Sequence, residues 1–408
     1  MEEITWKLEN SDSFVEAEKK LWVEQSKILS KQMTLDEINE KYENGEQRIV
    51  TESNRERLPN FVTALENRNY MDLRPFYQRR SRWDTDRQSK LIESFIINIP
   101  VPPIFLYERD FNSYEVMDGQ QRITAIKDFY TNKFTLTGLE LWPELNGMMY
   151  TNLPSKVKAG IDRRSISSIV LLKESAPDDE EATFLRQVVF ERLNTGGIKL
   201  EKQEIRNCLY KSPFNELLFE LAEIDEFRKA WNLPLFSKEE RNISISLPIH
   251  KDTFYKKMED TEMILRFFAL RHANQYRNGM RGFLDLYMSK ATSFPKKDLS
   301  ELAILFKDVI CLADAIYGEL LFRTYDPVKC LWDKAPSKAF YDAVMVGLSV
   351  VISDLNINNL IKNRAAVIQS TKDLFSKYSE GELTGRANSK GDVIRRISIF
   401  TDMINEHL

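Results

Sequence analysis

The pentapeptide Asp-Gly-Gln-Gln-Arg at residues 118–122 constrains the fold of this 408-residue chain more than any other stretch. Residues 114–117 before it suit an extended strand, whereas the apolar residues between Ile123 and Tyr130 recur at helical spacing. Asp-Gly is a typical turn sequence, so the pattern predicts a strand, a tight turn and a helix. Because the first N–H groups of a helix have no partner within the helix, such a turn can bind an anion.

Composition and charge exclude several classes of protein. A formal net charge of -4 rules out a generally basic nucleic-acid coat but permits a local basic groove. The cysteines Cys208, Cys311 and Cys330 lie far apart and predict neither a disulfide framework nor a thiolate zinc site. The N-terminus lacks the pattern of a signal peptide, and every apolar run is too short to span a bilayer. We therefore expect a soluble cytoplasmic protein.

The patterning of the chain predicts segment boundaries near residues 58 and 211. Residues 1–58 are polar and suggest a helical N-terminal arm, which Trp6, Phe14 and Trp22 would anchor to the body of the protein. The next segment, residues 59–210, mixes strand and helix patterns.

Residues 211–408 are predicted to be a helical domain. Apolar residues recur there at spacings of three and four in four long stretches. These stretches are residues 262–272, 298–321, 337–355 and 362–378. We interpret the stripes as core, and Asp342 inside one of them predicts a polar contact.

Two further strands are predicted beside the one that precedes the turn. Residues 104–107 follow a rigid turn, because Pro102 and Pro103 cannot donate ladder hydrogen bonds. The polar residues 108–113 would form a hairpin loop that leads into the strand at 114–117. Residues 166–172 are the third strand candidate.

An excess of basic residues lies between Arg74 and Lys90, where six basic residues accompany two acidic ones. One interpretation is a solvated loop followed by a helix at residues 86–96 with an apolar inner face. The other is a positive wall for phosphates, because guanidinium groups bind phosphate oxygens in a bidentate fork and Tyr77 or Trp83 can stack a base. Charge and aromatic content favour neither interpretation.

The glycine pair at residues 196–197 ends a predicted helix at residues 180–193. Glycine after a helix is the usual left-handed cap, and the residues alone favour this interpretation. Two glycines that follow Arg192 and Asn194 can also bring the backbone close to a ligand.

Four motifs in order resemble the N-terminal domain family of GmrSD-type modification-dependent restriction systems. The pentapeptide at residues 118–122 is the most specific of them, and together they cover roughly residues 60 to 210. The motifs are Tyr77-Gln78-Arg79 with Trp83, Ile99 to Ile104, Met117 to Thr124, and Phe190 to Gly197 followed by Leu200, Gln203, Glu204 and Arg206. A single pentapeptide would be weak evidence, but four blocks in the same order are not expected by chance.

The resemblance implies an α+β fold, with a small mixed-sheet core similar to the ParB/sulfiredoxin fold followed by a large all-helical domain. Family members are described as nucleoside triphosphatases or nucleotide-dependent regulators in defence against phage with modified DNA. Residues 59–210 would then be the nucleotide-binding domain. The implied phosphate and metal site consists of Asp118, Gly119, Gln120, Gln121 and Arg122. The same cleft would be lined by Gln78, Arg79, Arg192 and Asn194.

These residue types suit phosphoryl chemistry with Mg2+ and a nucleoside triphosphate. Gly119 lets the backbone approach a phosphate, and Arg122 can neutralise charge on the phosphoryl oxygens. Asp118 can hold Mg2+ directly or through water. Gln120 or Gln121 can orient the attacking water.

The same residues also have a purely structural interpretation. In it Asp118 only caps the helix, Gly119 only makes the turn, and Arg122 forms a surface ion pair with Glu115 or Asp128. The residues alone favour neither interpretation. With the resemblance, the clustering of the matched donors around a helix start favours a nucleotide or polyanion site.

Two classes of function remain after the motifs are taken together. The histidines His250, His272 and His407 lack metal-ligand spacing, so no HNH nuclease domain is predicted. The first class is a nucleotide-binding, NTP-hydrolysing sensor or regulatory component of an anti-phage defence system, which works with DNA or a partner nuclease. The alternative is a ParB-like DNA-binding or DNA-nicking module without nucleotide turnover. The oligomeric state stays open, a homo-oligomer included.

Overall fold

A computed structural model describes most of the chain. The described residues are 14–22, 39, 51–67, 69–72, 83–172, 188–189, 202–210, 212–241, 247–378, 381–385 and 388–408. They form two compact units. Those within 31–200 make up the sheet unit, and those within 1–30 and 201–408 make up the helical unit. Among these residues, no helix combines the length and the apolar character that a membrane crossing requires.

A mixed five-stranded sheet is the centre of the sheet unit. Its strands are β1 (Thr51–Arg57), β2 (Met71–Asp72), β3 (Ile104–Asp110), β4 (Ser113–Asp118) and β5 (Ser165–Leu171). Their order across the sheet is β1-β5-β3-β4-β2. The β1–β5 and β3–β4 pairs are antiparallel, whereas the β3–β5 and β2–β4 pairs are parallel. A small mixed sheet combined with a largely helical remainder confirms the predicted α+β class.

Helices cover one face of this sheet. They are α1 (Leu58–Ala64), α2 (Thr85–Ile96), α3 (Gln120–Tyr130) and α4 (Ser155–Asp162), with 3-10 turns at Pro143–Leu145 and Tyr150–Asn152. The strand side chains Ile104, Leu106 and Val116 lie on that face and are buried, because alternate residues of a strand point the same way. Ile92 of α2 and Ile126 of α3 pack against them in the same core. The predicted helix at residues 86–96 is therefore confirmed.

The polar segment that forms β1 was not expected to be a strand. Its seven residues lack any apolar alternation, and the sequence favoured a helical arm instead. In the structure each of them pairs with a residue of β5, from Thr51 opposite Leu171 to Arg57 opposite Ser165. The prediction of helix is wrong here, because an edge strand held by backbone hydrogen bonds needs few apolar side chains, and charged ones protect the edge.

The β3–β4 hairpin is tighter than predicted. The polar residues 108–113 were expected to form a loop, but β3 continues to Asp110, which pairs with Ser113. Only two residues turn the chain, and Asn112 has a φ of 56°, which asparagine tolerates better than most residues. Backbone pairing across the short turn extends both strands into the polar segment.

The helical unit confirms the predicted helices of the C-terminal half. Its helices are α5 (Lys202–Leu209), α6 (Pro213–Leu221), α7 (Asp225–Ala230), α8 (Thr253–Lys256), α9 (Glu259–Leu270), α10 (Gly279–Ala291), α11 (Lys296–Tyr317), α12 (Lys338–Val351), α13 (Asn358–Lys362), α14 (Arg364–Lys377) and α15 (Lys390–Asn405). Short 3-10 turns lie at Lys238–Arg241, Pro248–Lys251, Ala273–Gln275 and Gly318–Leu320. The expectation of helix throughout is wrong for β6 (Arg323–Asp326) and β7 (Leu331–Pro336), which form an antiparallel pair.

Buried ion pairs stabilise the packing of these helices. Asp342 on α12 is fully buried and accepts two hydrogen bonds from the guanidinium group of Arg266 on α9. The guanidinium group of Arg396 on α15 lies 3.7 Å from the same carboxylate. The polar contact predicted at Asp342 is thus confirmed. Burying a carboxylate is tolerable here because arginine side chains compensate its charge.

A short N-terminal helix, Glu16–Lys20, belongs to the helical unit. Phe14 stacks on the ring of His272 at 4.2 Å between centroids, and Trp22 stacks on Phe283 at 6.0 Å. Glu18, between these two aromatic residues, is fully buried. Phe14 and Trp22 are therefore anchors as predicted, whereas Trp6 lies outside the described residues.

Candidate functional site

The predicted strand, turn and helix around residues 118–122 are present. β4 ends at Asp118, and α3 begins at Gln120. Gly119 between them has a φ of 93°, in the left-handed region, and its carbonyl accepts the first helical hydrogen bond from the N–H of Ile123 at 2.9 Å. The start of α3 has no side-chain cap. Its first turn therefore presents the helix N-terminus at this point, where an anion can be bound.

Glycine is the residue that this turn requires. A Cβ at position 119 would lie 2.6 Å from Cγ2 of Ile104 and 3.0 Å from Nη2 of Arg122. The positive φ would strain any other residue as well. The absence of a side chain at Gly119 thus allows the backbone, the Ile104 side chain and the Arg122 guanidinium group to meet closely.

Two acceptors hold the guanidinium group of Arg122 beside the turn. Its Nη2 donates to Oδ2 of Asp118 at 2.7 Å and to the carbonyl of Pro103 at 3.2 Å. Its Nε is buried and has no hydrogen-bond partner among the described residues. The Arg122 side chain is 15% exposed and that of Asp118 is 36% exposed. The arginine is therefore fixed in place, and only the exposed 15% of its side chain can be reached by an incoming acceptor.

These contacts test the purely structural interpretation of the pentapeptide. The ion-pair partner of Arg122 is Asp118, not Glu115 or Asp128, and Asp128 pairs with Lys133 at 2.9 Å. The N-cap position of α3 is Gly119, so Asp118 does not cap this helix. Those parts of the structural interpretation are wrong.

The two glutamines of the pentapeptide open α3. Gln120 is its first residue and is half-buried. Oε1 of Gln121 accepts a hydrogen bond from the backbone N–H of Trp83 at 3.2 Å, which fixes the orientation of that side-chain amide. This bond ties the start of α3 to the residue that precedes the N-cap of α2. The Trp83 ring packs against the hydrophobic core, which explains its aromatic character without a stacked base.

The remaining predicted site residues lie outside the part of the chain that the structure describes. They are Gln78, Arg79, Arg192 and Asn194. Their place in a common cleft with Arg122 stays a prediction.

A metal ion at this site would need phosphate oxygens or water as ligands in addition to protein side chains. Within the described residues no three His, Cys, Asp or Glu side chains converge on one point. Asp118 has a partly exposed carboxylate, of which Oδ2 is engaged by Arg122. Mg2+ in nucleotide sites is commonly bound by one or two carboxylates together with phosphate oxygens and water. A single carboxylate next to the uncapped start of α3 is compatible with that mode.

Pro103 and Ile104 are two contributors that sequence reasoning did not assign to the site. The Pro103 carbonyl orients Arg122, and the Ile104 side chain excludes a Cβ at Gly119. Both follow from the hairpin, because Phe105 pairs with Asp118 across β3 and β4. Counting residues back from the hairpin turn would have placed them beside the pentapeptide.

Comparison with known proteins gives one match. Residues 58–211 match the family described as GmrSD restriction endonuclease, N-terminal domain. No curated protein and no solved structure matches the chain, so the likeness of the core to the ParB/sulfiredoxin fold stays an expectation. The matched segment begins with α1 and contains the whole Asp118–Arg122 turn as well as α5. Over residues 58–211 the chain is therefore similar to the family of GmrSD restriction endonuclease N-terminal domains.

Proposed function

We propose that this chain is the nucleotide-binding component of a restriction system directed against modified DNA, and that the turn at Asp118 to Arg122 holds the phosphates of the nucleotide. The family match implies a component of such a restriction system. The observation that supports the nucleotide is the guanidinium group of Arg122, held by Asp118 and the Pro103 carbonyl beside the uncapped start of α3.

Phosphate binding follows from the donors that converge at this turn. Oxygens of a phosphate would accept hydrogen bonds from backbone N–H groups of the first turn of α3 and from Arg122. Gly119 has no Cβ, so the backbone can approach the phosphate closely. Because Asp118 and the Pro103 carbonyl already orient Arg122, little side-chain entropy is lost on binding.

Asp118 has two tasks in this arrangement. It orients Arg122, and it would hold Mg2+ directly or through water. When bound, the ion would neutralise charge on the phosphate oxygens. Asp118 would thereby couple the position of the arginine to the presence of the metal–nucleotide complex.

Hydrolysis would need a group that orients water, and Gln120 or Gln121 would supply it. The bond from Trp83 N–H to Oε1 of Gln121 restrains that side chain before any ligand binds. We propose that binding or hydrolysis of the nucleotide changes how the protein contacts DNA or a partner nuclease.

The test is a binding and turnover screen of the four ribonucleoside triphosphates with Mg2+, with and without plasmid DNA that carries modified bases. Arg122→Ala should weaken nucleotide binding at least about tenfold, because a charge-assisted hydrogen bond to phosphate is lost. Arg122→Lys should give an intermediate result, since it keeps the charge but not the fork. Arg163→Ala is the matched control, because Arg163 is an exposed arginine of the same unit.

Two results would contradict the proposal. One is wild-type protein that binds no nucleotide in the presence of Mg2+, and the other is Arg122→Ala protein that binds and hydrolyses NTP as the wild type does. DNA binding that falls steeply with salt, in a protein that binds no nucleotide, would support the ParB-like DNA module instead.

A further inference from the structure

A cavity of about 310 Å³ lies in the sheet unit apart from the Asp118–Arg122 turn. It opens on the face of the sheet that carries the hydrophobic core. Its lining consists of Asn54, Arg55, Glu56, Phe61, Tyr70, Met71, Ile104, Leu106, Tyr114, Ile166, Ser168 and Val170. No residue of the pentapeptide is among them, so the cavity is a separate feature of this unit.

The floor of the cavity is apolar. Ile104, Leu106, Ile166 and Val170 come from the two central strands β3 and β5, and all four are buried. Phe61 of α1 closes the cavity from the helix side. Ligand sites in proteins are typically concave, mostly apolar, and begin at roughly 300 Å³. The size therefore suits a ligand of one or two rings.

Polar groups converge at the rim of the cavity. The Tyr70 hydroxyl lies near the Glu56 carboxylate and stabilises its charged form. The rings of Tyr70 and Tyr114 meet edge to face, with centroids 5.5 Å apart. The half-buried Ser168 also belongs to the lining. A ligand would thus meet a carboxylate, two aromatic rings and a serine side chain.

The acidic groups at or near this rim are Glu56, which lines the cavity, and Glu52 and Glu108, whose charges act on Tyr114. Burial raises the pKa of Glu56 above 4.5 although the Tyr70 hydroxyl stabilises the carboxylate. Burial and the nearby charges of Glu108 and Glu52 raise the pKa of Tyr114. Arg55 also lines the cavity, but successive side chains of a strand point to opposite faces, so Arg55 and Glu56 point away from each other.

We propose that this cavity binds a small organic cation with a planar aromatic body, of the aryl-amidinium or aryl-ammonium class. The apolar floor would take the ring, the carboxylate of Glu56 would pair with the cationic group, and the faces of the two tyrosines would add cation–π attraction. A bound cation would also compensate the half-buried carboxylate, which otherwise bears the cost of its own desolvation. An anion of the same shape would be repelled by the carboxylates.

The cavity neighbours the pentapeptide through one side chain. Ile104 lines the cavity and is the residue that a Cβ at Gly119 would meet. The proposal does not depend on nucleotide binding, because neither Asp118 nor Arg122 lines the cavity.

The experiment titrates the full chain with benzamidinium chloride by isothermal calorimetry near neutral pH. Benzoate is the control probe, since it has the same ring and the opposite charge. We expect saturable binding of benzamidinium and none of benzoate. Glu56→Gln should weaken the binding of benzamidinium at least about tenfold, because the charged hydrogen bond to the carboxylate is lost. Tyr70→Phe, which removes the hydroxyl that stabilises the charged form of Glu56, should weaken it by a smaller factor.

Two controls separate this result from other causes. Glu66→Gln removes an exposed carboxylate of the same unit that does not line the cavity, and it should leave the affinity unchanged. Arg122→Ala should also leave it unchanged, which distinguishes this site from the phosphate site. The proposal is overturned by absence of saturable benzamidinium binding, by equal binding of benzoate, or by a Glu56→Gln affinity equal to that of wild type. Far-UV circular dichroism checks the fold of each variant, and Tyr70→Phe supplies the test if Glu56→Gln is unfolded.

Discussion

The Asp118–Arg122 pair of the sheet unit and the Glu18–Arg271 pair of the helical unit join the same two chemical groups in opposite surroundings. Arg122 donates to Asp118 at 2.7 Å, and both side chains are partly exposed. Nη1 of Arg271 donates to both carboxylate oxygens of Glu18, at 3.0 and 3.1 Å, and both side chains are buried. The two pairs differ in how completely the carboxylate is satisfied by the protein.

Glu18 has a full set of partners. Besides Arg271, the Tyr287 hydroxyl donates to it at 2.8 Å, Nε2 of His272 lies 3.1 Å away, and the backbone N–H of Val15 donates at 3.2 Å. Burial by itself would raise the pKa of Glu18, but the charge of Arg271 and the bonds from His272 and Tyr287 lower it to about 2. A carboxylate satisfied in this way has a structural role, since it holds the N-terminal helix in the helical unit.

Asp118 has one side-chain partner among the described residues, Arg122, and its carboxylate is partly exposed. A carboxylate–arginine pair is therefore a better candidate for a ligand site when the carboxylate is partly exposed and incompletely hydrogen-bonded by the protein. When its hydrogen-bonding capacity is filled in the core, the pair indicates packing.

The largest effect is expected from Glu18→Ala. The substitution leaves the buried charge of Arg271 without its carboxylate, which should lower the free energy of unfolding by about 3–5 kcal/mol. Glu16→Ala on the same short helix is the control and should change stability by less than about 0.5 kcal/mol, because Glu16 is exposed. Amide hydrogen exchange of α9 and α10 measures the effect within this unit. Equal exchange in the two variants would contradict a structural role for Glu18.

Acid should weaken the helical unit through the same carboxylate. The unfolded chain protonates Glu18 near its ordinary value of 4.5 and the folded chain near 2, so the stability present above pH 4.5 is lost as the pH falls towards 2. The shift corresponds to about 3 kcal/mol. Burial also lowers the pKa of His272 below 6.5. The unfolded chain therefore binds a proton at this histidine more readily than the folded chain does, and stability falls further as the pH drops below 6.5. The free energy of unfolding, measured with urea at several pH values, should decrease less towards acid pH in Glu18→Gln than in wild type.

A moderate effect is expected from Gly119→Ala. The positive φ and the contact with Ile104 should destabilise the sheet unit by about 1–3 kcal/mol and should disturb the proposed phosphate site. Gly160→Ala is the matched control, because a Cβ at Gly160 within α4 would meet nothing within 4 Å. That control should be neutral or stabilising by up to about 1 kcal/mol. Thermal unfolding and NTP binding of both variants decide whether the turn requires glycine.

The smallest change in stability is expected from Asp118→Asn. A partly exposed ion pair contributes about 0–1 kcal/mol, so the melting temperature should hardly move. Binding of NTP with Mg2+ should fall much more, since the carboxylate that would hold the metal is removed. A variant with lower stability and unchanged Mg2+–NTP binding would place Asp118 in the same structural class as Glu18.

Local features of the sheet unit were predictable from the sequence. The turn at Gly119, the helix α3 and the helix α2 each depend on dihedral angles and hydrogen bonds within a few residues, so their patterns are readable in a single stretch. The polar strand β1 was not predictable, because its conformation depends on pairing with β5 far along the chain. The β6–β7 pair was not predicted either, because the surrounding sequence has helical spacing and the two strands depend on pairing with each other.

By itself the sequence determined the order of strand, glycine turn and helix around Arg122, the α+β class and the match to a restriction-system domain family. Those features depend on residue types and on spacings along the chain. Only the tertiary structure decided that Arg122 is held by Asp118 and the Pro103 carbonyl, that Ile104 forbids a side chain at Gly119, and that Glu18 is a buried anchor. Side-chain conformation, hydrogen-bond partners and burial depend on how the folded segments pack together, which residue types and spacings alone do not specify.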